Sequence, residues 1–508
     1  MIITYFVLFS TLSILKHESF FSTAHDLGVY DQSVWGYRNL HLTDSVGGTP
    51  ILAGHVQPIL FIMSLFYLIY SSPITLLVIQ SFMIALGALP LYLLSMRVLK
   101  NRLVSLSISA AYLLYPSIQF ANLFDFHPLV LAVPFIFFSF YFLEKRNYKA
   151  FMISLFLAGL CKEYIPLIFL PLGIYIFLSH KKKGLGMLIA LVGVGWFVIN
   201  VKLIVPIFSR GHYLSIAANS YFGSSFSEII RTIITRPIYV AQYLLVLNKL
   251  AFLILLLTPV VLGVFAFLAP EFLLLGITEI AIVFLYTPNS LSDIVYHHQV
   301  LLVSFIMIAT IYGIRRLNKF VKARKLIPKK NIMPGISILL LSTAFFANMS
   351  YGPFAILYDL EDFNPYSEYA KTGHEFLSMI PEDVSVAAPN WILPHLSHRK
   401  NAYTLKGFIR KGHLFKSGEL EYPQYILVDL SEALIDPKRS ALKIDSNMLN
   451  DLFNNKEYGI AASEGTWILL ERGENYEMNL CKILPYLNKE NYPYLKINLN
   501  DEESLKKC

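Results

Sequence analysis

Long apolar runs separated by short polar breaks fill the first 350 residues, the pattern of a chain that crosses a membrane repeatedly. Beyond the opening run MIITYFVLFSTLSIL, apolar segments cover 73–96, 103–120, 128–143, 150–161, 164–179, 185–206, 251–268, 272–286, 299–314 and 332–349. A helix needs about 20 apolar residues to span a bilayer. The opening run is shorter, but it lacks the basic leader and small-residue cleavage site of a signal peptide. It therefore reads as an uncleaved first span. PILFIMSLFYLIY (58–70) is too short to cross and reads as an interfacial or re-entrant helix on the outer side. With the first helix counted, the pattern predicts eleven crossings.

Lys and Arg in the breaks set the orientation. Arg97, Lys100 and Arg102 share one break, Lys145, Arg146 and Lys149 another, and 181–183 is three lysines. The run RRLNKFVKARKLIPKK (315–330) carries eight basic residues and no acid. All four sets fall on one face if 150–179 crosses twice and 58–70 does not cross. The positive-inside rule makes that face, and the N-terminus, cytoplasmic. A single span over 150–179 would carry the largest basic run outside and is rejected. Asp26, Asp31, His55, Asp125, His127, Lys162, Glu163, Asp293, His297 and His298 then all land on the outer side. So does 207–250, which reads as amphipathic segments lying on the bilayer.

From about residue 351 the pattern changes. VSVAA (384–388), QYILVDL (424–430), YGIAAS (458–463) and TWILLER (466–472) alternate as strands do, while 366–380 and 444–455 read as helices. The expected architecture is an α-helical polytopic membrane protein with a small C-terminal α/β extracytoplasmic domain. Residues 1–350 form the membrane domain, with outer loops 16–57 and 207–250. Residues 351–498 form the outer domain, and 499–508 a charged tail.

Composition agrees with a multi-pass protein of the plasma membrane. Of 508 residues 55% are hydrophobic and only 15% charged, against about a quarter in soluble domains. A net charge of +8 would point to nucleic acid in a soluble chain; here it sits in the topogenic breaks, so no nucleic-acid partner is expected. Cys161, Cys481 and Cys508 show neither metal-ligand spacing nor a disulfide framework. There is no P-loop, dinucleotide fingerprint, HExxH, GxSxG or CxxC, which disfavours an ATPase, a nucleotide enzyme, a zincin or a soluble hydrolase.

The chemistry concentrates in HDLGVYDQSVWGYRNLHLTDSVGGTPILAGHVQ (25–57), which holds Asp26, Asp31, Asp44 and His55 among Tyr30, Trp35 and Tyr37. Asp26 and Asp31 lie about 140° apart on a helix, so they do not form a same-face pair. Gly28 between them marks a turn, at which Asp26 suits either an N-cap or a general base. In NLFDFHP, Asp125 suits a cap before Pro128, whereas His127 suits a phosphate oxygen or a metal. Lys162 and Glu163 interrupt apolar sequence with Pro166 and Pro171 close behind. They read either as a local ion pair at a hairpin tip or as a lipid-phosphate site. YHHQ (296–299) opens a span, where adjacent His297 and His298 would diverge on a helix and one would face the cavity.

HDLGVYDQSVW, GHVQPILFIMSLFYLIYSSPITLLVIQSFMIALGALPLYLLSMRVL, LYPSIQFANLFDFHPLVLAVPFIF and KEYIPLIF resemble an uncharacterised family of archaeal and bacterial polytopic membrane proteins, domain of unknown function 2079. PNWILPHLSHRKNAY and YILVDL share that likeness. The family resembles the GT-C glycosyltransferases, which have an acid in the first outer loop and use polyprenyl-phosphate-linked sugars. The resemblance implies that Asp26, with Asp31 as the alternative, is a catalytic base, and that the partners are a polyprenyl-phosphate sugar and membrane lipid. His55, Asp125, His127, Lys162, Glu163, His297 and His298 become candidates for the donor phosphate, and a divalent metal is left open. A transporter or lipid flippase with an outer binding domain is the competing reading, and a non-catalytic scaffold a third.

Overall fold

The computed structural model describes residues 1–209, 221–223, 226–261, 263–285, 293–325, 328–407, 422–430, 452–453, 455, 457–475 and 482. The tail 499–508 and most of the predicted helix 444–455 lie outside them. The chain forms two compact units. One comprises Met1–Ile14, Pro50–Phe66 and Ile74–Glu361; the other comprises Leu15–Thr49, Tyr67–Pro73 and Asp362–Cys508.

The first unit is helical. Pro73–Leu99, Lys183–Ser209, Val300–Arg324 and Asn331–Ile356 are long and apolar enough to cross a membrane. Six spans result if two bent pairs each count as one: Arg102–Leu113 with Pro116–Phe124 at 42°, and Pro237–Leu244 with Asn248–Leu257 at 64°. Ile59–Leu68, Pro128–Glu144, Tyr148–Gly159 and Ile165–Ser179 are shorter apolar helices. The described helices thus carry four to six spans by length and composition, fewer than the eleven read from hydropathy. Broken backbone accounts for much of the difference. The predicted run 251–268 is two helices, Leu247–Leu257 and Val264–Phe267, separated where Val261 and Gly263 turn to φ +60° and +73°. Likewise 272–286 divides into Pro270–Leu274 and Ile277–Leu285. Hydropathy registers apolar side chains and is blind to such breaks.

Small residues permit the closest helix approach. A Cβ on Gly173 would lie 2.4 Å from the Gly186 carbonyl, so Phe169–Ser179 and Lys183–Ile199 meet backbone to backbone. In the predicted amphipathic loop, Phe226–Thr235 and Pro237–Leu244 are helices.

The second unit is built on a five-stranded sheet. In spatial order its strands are Ala402–Thr404, Val386–Ala388, Tyr425–Asp429, Trp467–Arg472 and Tyr458–Glu464. The first three run parallel; the last two form an antiparallel hairpin against Tyr425–Asp429. Period-2 alternation sorts the faces: Ile426, Val428, Ile468 and Leu470 join one core, Leu427, Trp467 and Leu469 the other. The second core also takes Phe20, Ala24 and Val46 from the first loop, with Ala370 and Phe376 from the helix Glu368–Ser378. Residues 15–49 therefore fold with the C-terminal sheet.

At this junction a Cβ on Gly373 would lie 2.6 Å from Trp467 and 2.7 Å from Phe20. Gly373→Val should therefore overpack the seam and cost about 1–3 kcal/mol. Gly335→Ala, at a position with nothing within 4 Å, should leave melting unchanged or slightly raised. Thermal unfolding of the detergent-solubilised protein compares the two.

Candidate functional site

The second unit collects the first-loop acids. Ala24–Gly28 forms one wide helical turn, followed directly by the helix Val29–Arg38. Gly28, not Asp26, precedes that helix, and no side chain caps it, so the N-cap reading of Asp26 does not hold. Asp26 lies inside the wide turn, half-buried, where the Thr23 hydroxyl donates to its Oδ2 at 2.9 Å. One acid in the first turn complements the exposed backbone N–H groups there.

Asp31 has a different environment. It is fully buried, and three side chains donate to its carboxylate. Tyr67 and Ser397 donate hydroxyls, and His398 brings Nε2 to 3.0 Å from Oδ1 and 2.9 Å from Oδ2. Burial works against the His398 imidazolium. The charge of Asp31 and its hydrogen bond outweigh that and hold the pKa above the ordinary histidine value, even against the nearby Arg38 and Arg399.

The chain around this carboxylate is stitched to the segment 389–402. Ala24 N–H donates to the Asn390 carbonyl at 2.6 Å. The Gln32 amide donates to the Arg399 carbonyl and the Ser45 hydroxyl, both at 2.8 Å, and its own oxygen accepts from Ser45 and Val46 N–H. Asp44, also buried, is pushed up to about 7 by desolvation, against the opposing N–H bonds of Gly47 and Val46.

The helical unit gathers the other candidates. Glu163 is buried and meets His55 Nδ1 at 2.9 Å and Val56 N–H at 3.3 Å. Glu163 thus gains a contact across 108 residues, while the charge of adjacent Lys162 also acts on it. Lys162 is buried, with Nζ 5.4 Å from the Tyr164 ring centroid, and its charge acts on His297 and on Glu279. Gln80 clamps the turn after Pro116–Phe124: it accepts from His127 N–H at 2.8 Å and donates to the Asp125 carbonyl at 2.7 Å. Asp125 ends that helix in extended backbone and does not cap the next one, whose preceding residue is His127.

His127 and His297 stack with ring centroids 3.3 Å apart. His297 and His298 precede the helix Val300–Arg324, so the expected helical divergence does not apply, and their rings lie 4.1 Å apart. Among the described residues no group of three or more His, Cys, Asp or Glu is arranged to hold a metal ion.

Two residues escaped the sequence reading. Glu279 is an acid within an apolar run, fully buried, with both carboxylate oxygens lacking a hydrogen bond. An acid inside an apolar run is a signal of function where that run crosses a membrane, and that signal was present in the sequence. His398 lay within a quoted motif, but its pairing with Asp31, 367 residues away, has no local trace.

Apolar helices of spanning length beside a compact α/β unit define an integral membrane protein. The chain belongs to the family described as "Predicted membrane protein (DUF2079)", whose model matches residues 16–469. No curated protein matches it. Among solved structures it is similar to ArnT from Cupriavidus metallidurans bound to undecaprenyl phosphate, at 13% identity and TM-score 0.48, over 92% of this chain and 98% of that one. The apo state of the same protein gives 13% and 0.49, over 91% and 97%. The archaeal oligosaccharyltransferase AglB from Archaeoglobus fulgidus, in complex with an inhibitory peptide and a dolichol-phosphate, gives 12% and 0.40, over 92% and 74%.

The His398–Asp31 pair predicts a pH-dependent stability. The folded pKa of His398 lies above its unfolded value of about 6.5. Its contribution is therefore complete below that pH and fades as pH rises through the folded pKa. The melting-temperature gap between wild type and His398→Gln should be widest near pH 5.5 and narrow steadily toward pH 9.

Proposed function

We propose that this protein is a GT-C-type glycosyltransferase that moves a sugar from a polyprenyl-phosphate donor to an acceptor at the extracytoplasmic face. The observation that carries the proposal is the contrast between the two first-loop acids. Asp31 is buried and engaged by three donors, while Asp26, one turn earlier, is only half-buried, with the Thr23 hydroxyl donating to its Oδ2 at 2.9 Å.

A base must come within hydrogen-bond reach of the hydroxyl it deprotonates. Asp26, the more exposed of the two acids, is assigned the role; Asp31 is the alternative. Asp26 takes the acceptor proton while the hydroxyl oxygen attacks the anomeric carbon, and the sugar–phosphate bond breaks with its electron pair on the phosphate oxygen. Donors that strengthen as that charge develops stabilise the transition state. Lys162, His55, His127, His297 and His298 are assigned to this task, with Asp125 and Glu163 holding the surrounding turns. No step is routed through a metal.

The same reading takes eleven crossings with the N-terminus cytoplasmic and the C-terminal domain extracytoplasmic. It rests on the basic breaks around Arg97, Lys145, Lys181 and Arg315. The domain division 1–350, 351–498 and 499–508 follows composition, with 15–49 and 67–73 packing into the C-terminal unit instead.

The test is transfer of labelled sugar from polyprenyl-phosphate donors in proteoliposomes. Asp26→Asn should lower kcat by 10²-fold or more, in the range expected for loss of a general base, with melting temperature unchanged. Full activity of the variant would remove Asp26 from the role. Failure of the wild type both to turn over and to bind donor lipid would shift the weight to a transporter.

A further inference from the structure

The Asp31 network contains a group that the candidate acids and bases do not use. His398 Nε2 is committed to the buried carboxylate, but Nδ1, on the other side of the ring, makes no hydrogen bond among the described residues. Its side chain is 27% exposed. The ring thus bridges a fully buried anion and solvent. Two aromatic neighbours restrict its plane: Trp35 stacks at 6.2 Å between centroids, and Tyr67 lies tilted at 5.6 Å. Tyr67 and Ser397 also donate to Asp31 but are buried, so among the described donors to this carboxylate His398 is the partly exposed one. Arg38 is exposed, donates one N–H to the Tyr67 carbonyl at 2.9 Å, and acts electrostatically on His398.

We infer that His398, oriented by Asp31, is a proton donor to the phosphate oxygen of a polyprenyl phosphate, with Arg38 as its electrostatic companion. The inference rests on the transferase reading for its catalytic use, but not for the binding it requires. A pair of groups whose environments favour opposite protonation states is what acid–base transfer needs. Asp26 offers an accessible carboxylate, and His398 a histidine backed by a buried anion.

The proton balance closes. As the bond between the anomeric carbon and the phosphate oxygen breaks, the electron pair leaves on that oxygen. The oxygen then takes the proton from His398 Nδ1. His398 becomes neutral while keeping its Nε2 hydrogen bond to Asp31, and Asp26 holds the acceptor's proton. Exchange with water resets both groups. Asp31 itself touches no substrate; it is a positioning residue whose effect passes through the imidazole.

The charged and titratable groups facing His398 are Asp31, Tyr67, Arg38 and Arg399. Of these Asp31 favours the imidazolium and the two arginines oppose it, so the pH at which His398 deprotonates reports on Asp31 directly.

The experiment is binding of undecaprenyl phosphate to the full chain in nanodiscs, at pH 6 and pH 9, with undecaprenol as the phosphate-free control. The wild type should bind the phosphate lipid at least tenfold more tightly at pH 6 than at pH 9, and the alcohol equally at both. His398→Gln should abolish the pH difference while melting as a folded protein. Asp31→Asn should move the transition to lower pH, a readout that a purely structural role would not shift. Arg38→Ala should weaken binding at both pH values. Inorganic phosphate, used as competitor, separates recognition of any phosphate from recognition of a lipid phosphate; displacement assigns the headgroup alone as the ligand. Absence of phosphate-lipid binding, or a pH difference that survives in His398→Gln, overturns the inference. Phosphate-dependent binding without sugar transfer would leave this site standing while the transferase reading falls.

Discussion

Burial of the Asp31 carboxylate is the constraint on which the second unit depends. An unpaired charge at zero exposure costs several kcal/mol, and the fold offsets that cost with three donors from two distant stretches of chain. Tyr67 arrives from the short segment before the helix Pro73–Leu99, Ser397 and His398 from beyond residue 390. Neither stretch alone satisfies the anion. The first loop, the 67–73 segment and the C-terminal sheet must therefore assemble together, and Gln32 binding the Arg399 carbonyl and Ser45 enforces the same register. The apolar side reinforces it, because Phe20 enters the core that Trp467 and Phe376 share.

That dependence explains which parts of the design were legible. The long apolar runs and the alternating strands are local patterns, so the helices Pro73–Leu99 and Val300–Arg324 and the strands Tyr425–Asp429 and Trp467–Arg472 fell close to where periodicity placed them. The three-residue strand Ala402–Thr404 is too short to announce itself. What no window of sequence contains is the pairing itself. Asp31 with His398, and His55 with Glu163, are long-range contacts set by tertiary packing. The same limit undid local readings of Asp26 and Asp125 as caps, because capping preferences are weak beside tertiary geometry.

The helical unit makes a complementary point about polar groups at membrane depth. Glu279, His297 Nδ1 and the Gln299 side-chain oxygen are buried without hydrogen bonds, at about 1–3 kcal/mol for each unmet neutral group and more for a charged one. A fold selected for stability alone would replace them with apolar side chains of similar volume. Gln80 shows the contrary case: equally buried, it meets both the Asp125 carbonyl and His127 N–H and so fixes a turn. Satisfied polar residues here hold backbone in place. Unsatisfied ones mark the region around Lys162 as built for something other than packing.

The two kinds of buried polarity therefore imply different roles for charge. In the second unit the anion is fully satisfied, and its value lies in what it does to His398, whose far nitrogen remains open. In the helical unit the charge of Lys162 acts on Glu279 and His297, and His127 stacks on His297, while Glu279 and His297 Nδ1 lack hydrogen bonds. A saturated carboxylate tunes a neighbour and resists change, because removal of any donor exposes its desolvation cost. Glu279, His297 Nδ1 and the Gln299 side-chain oxygen carry their cost at rest and are relieved by whatever brings matching polar atoms. Under the proposed transferase reading, phosphate oxygens accept from lysine and histidine together in the helical unit, while in the second unit the buried Asp31 carboxylate orients the His398 ring for proton delivery.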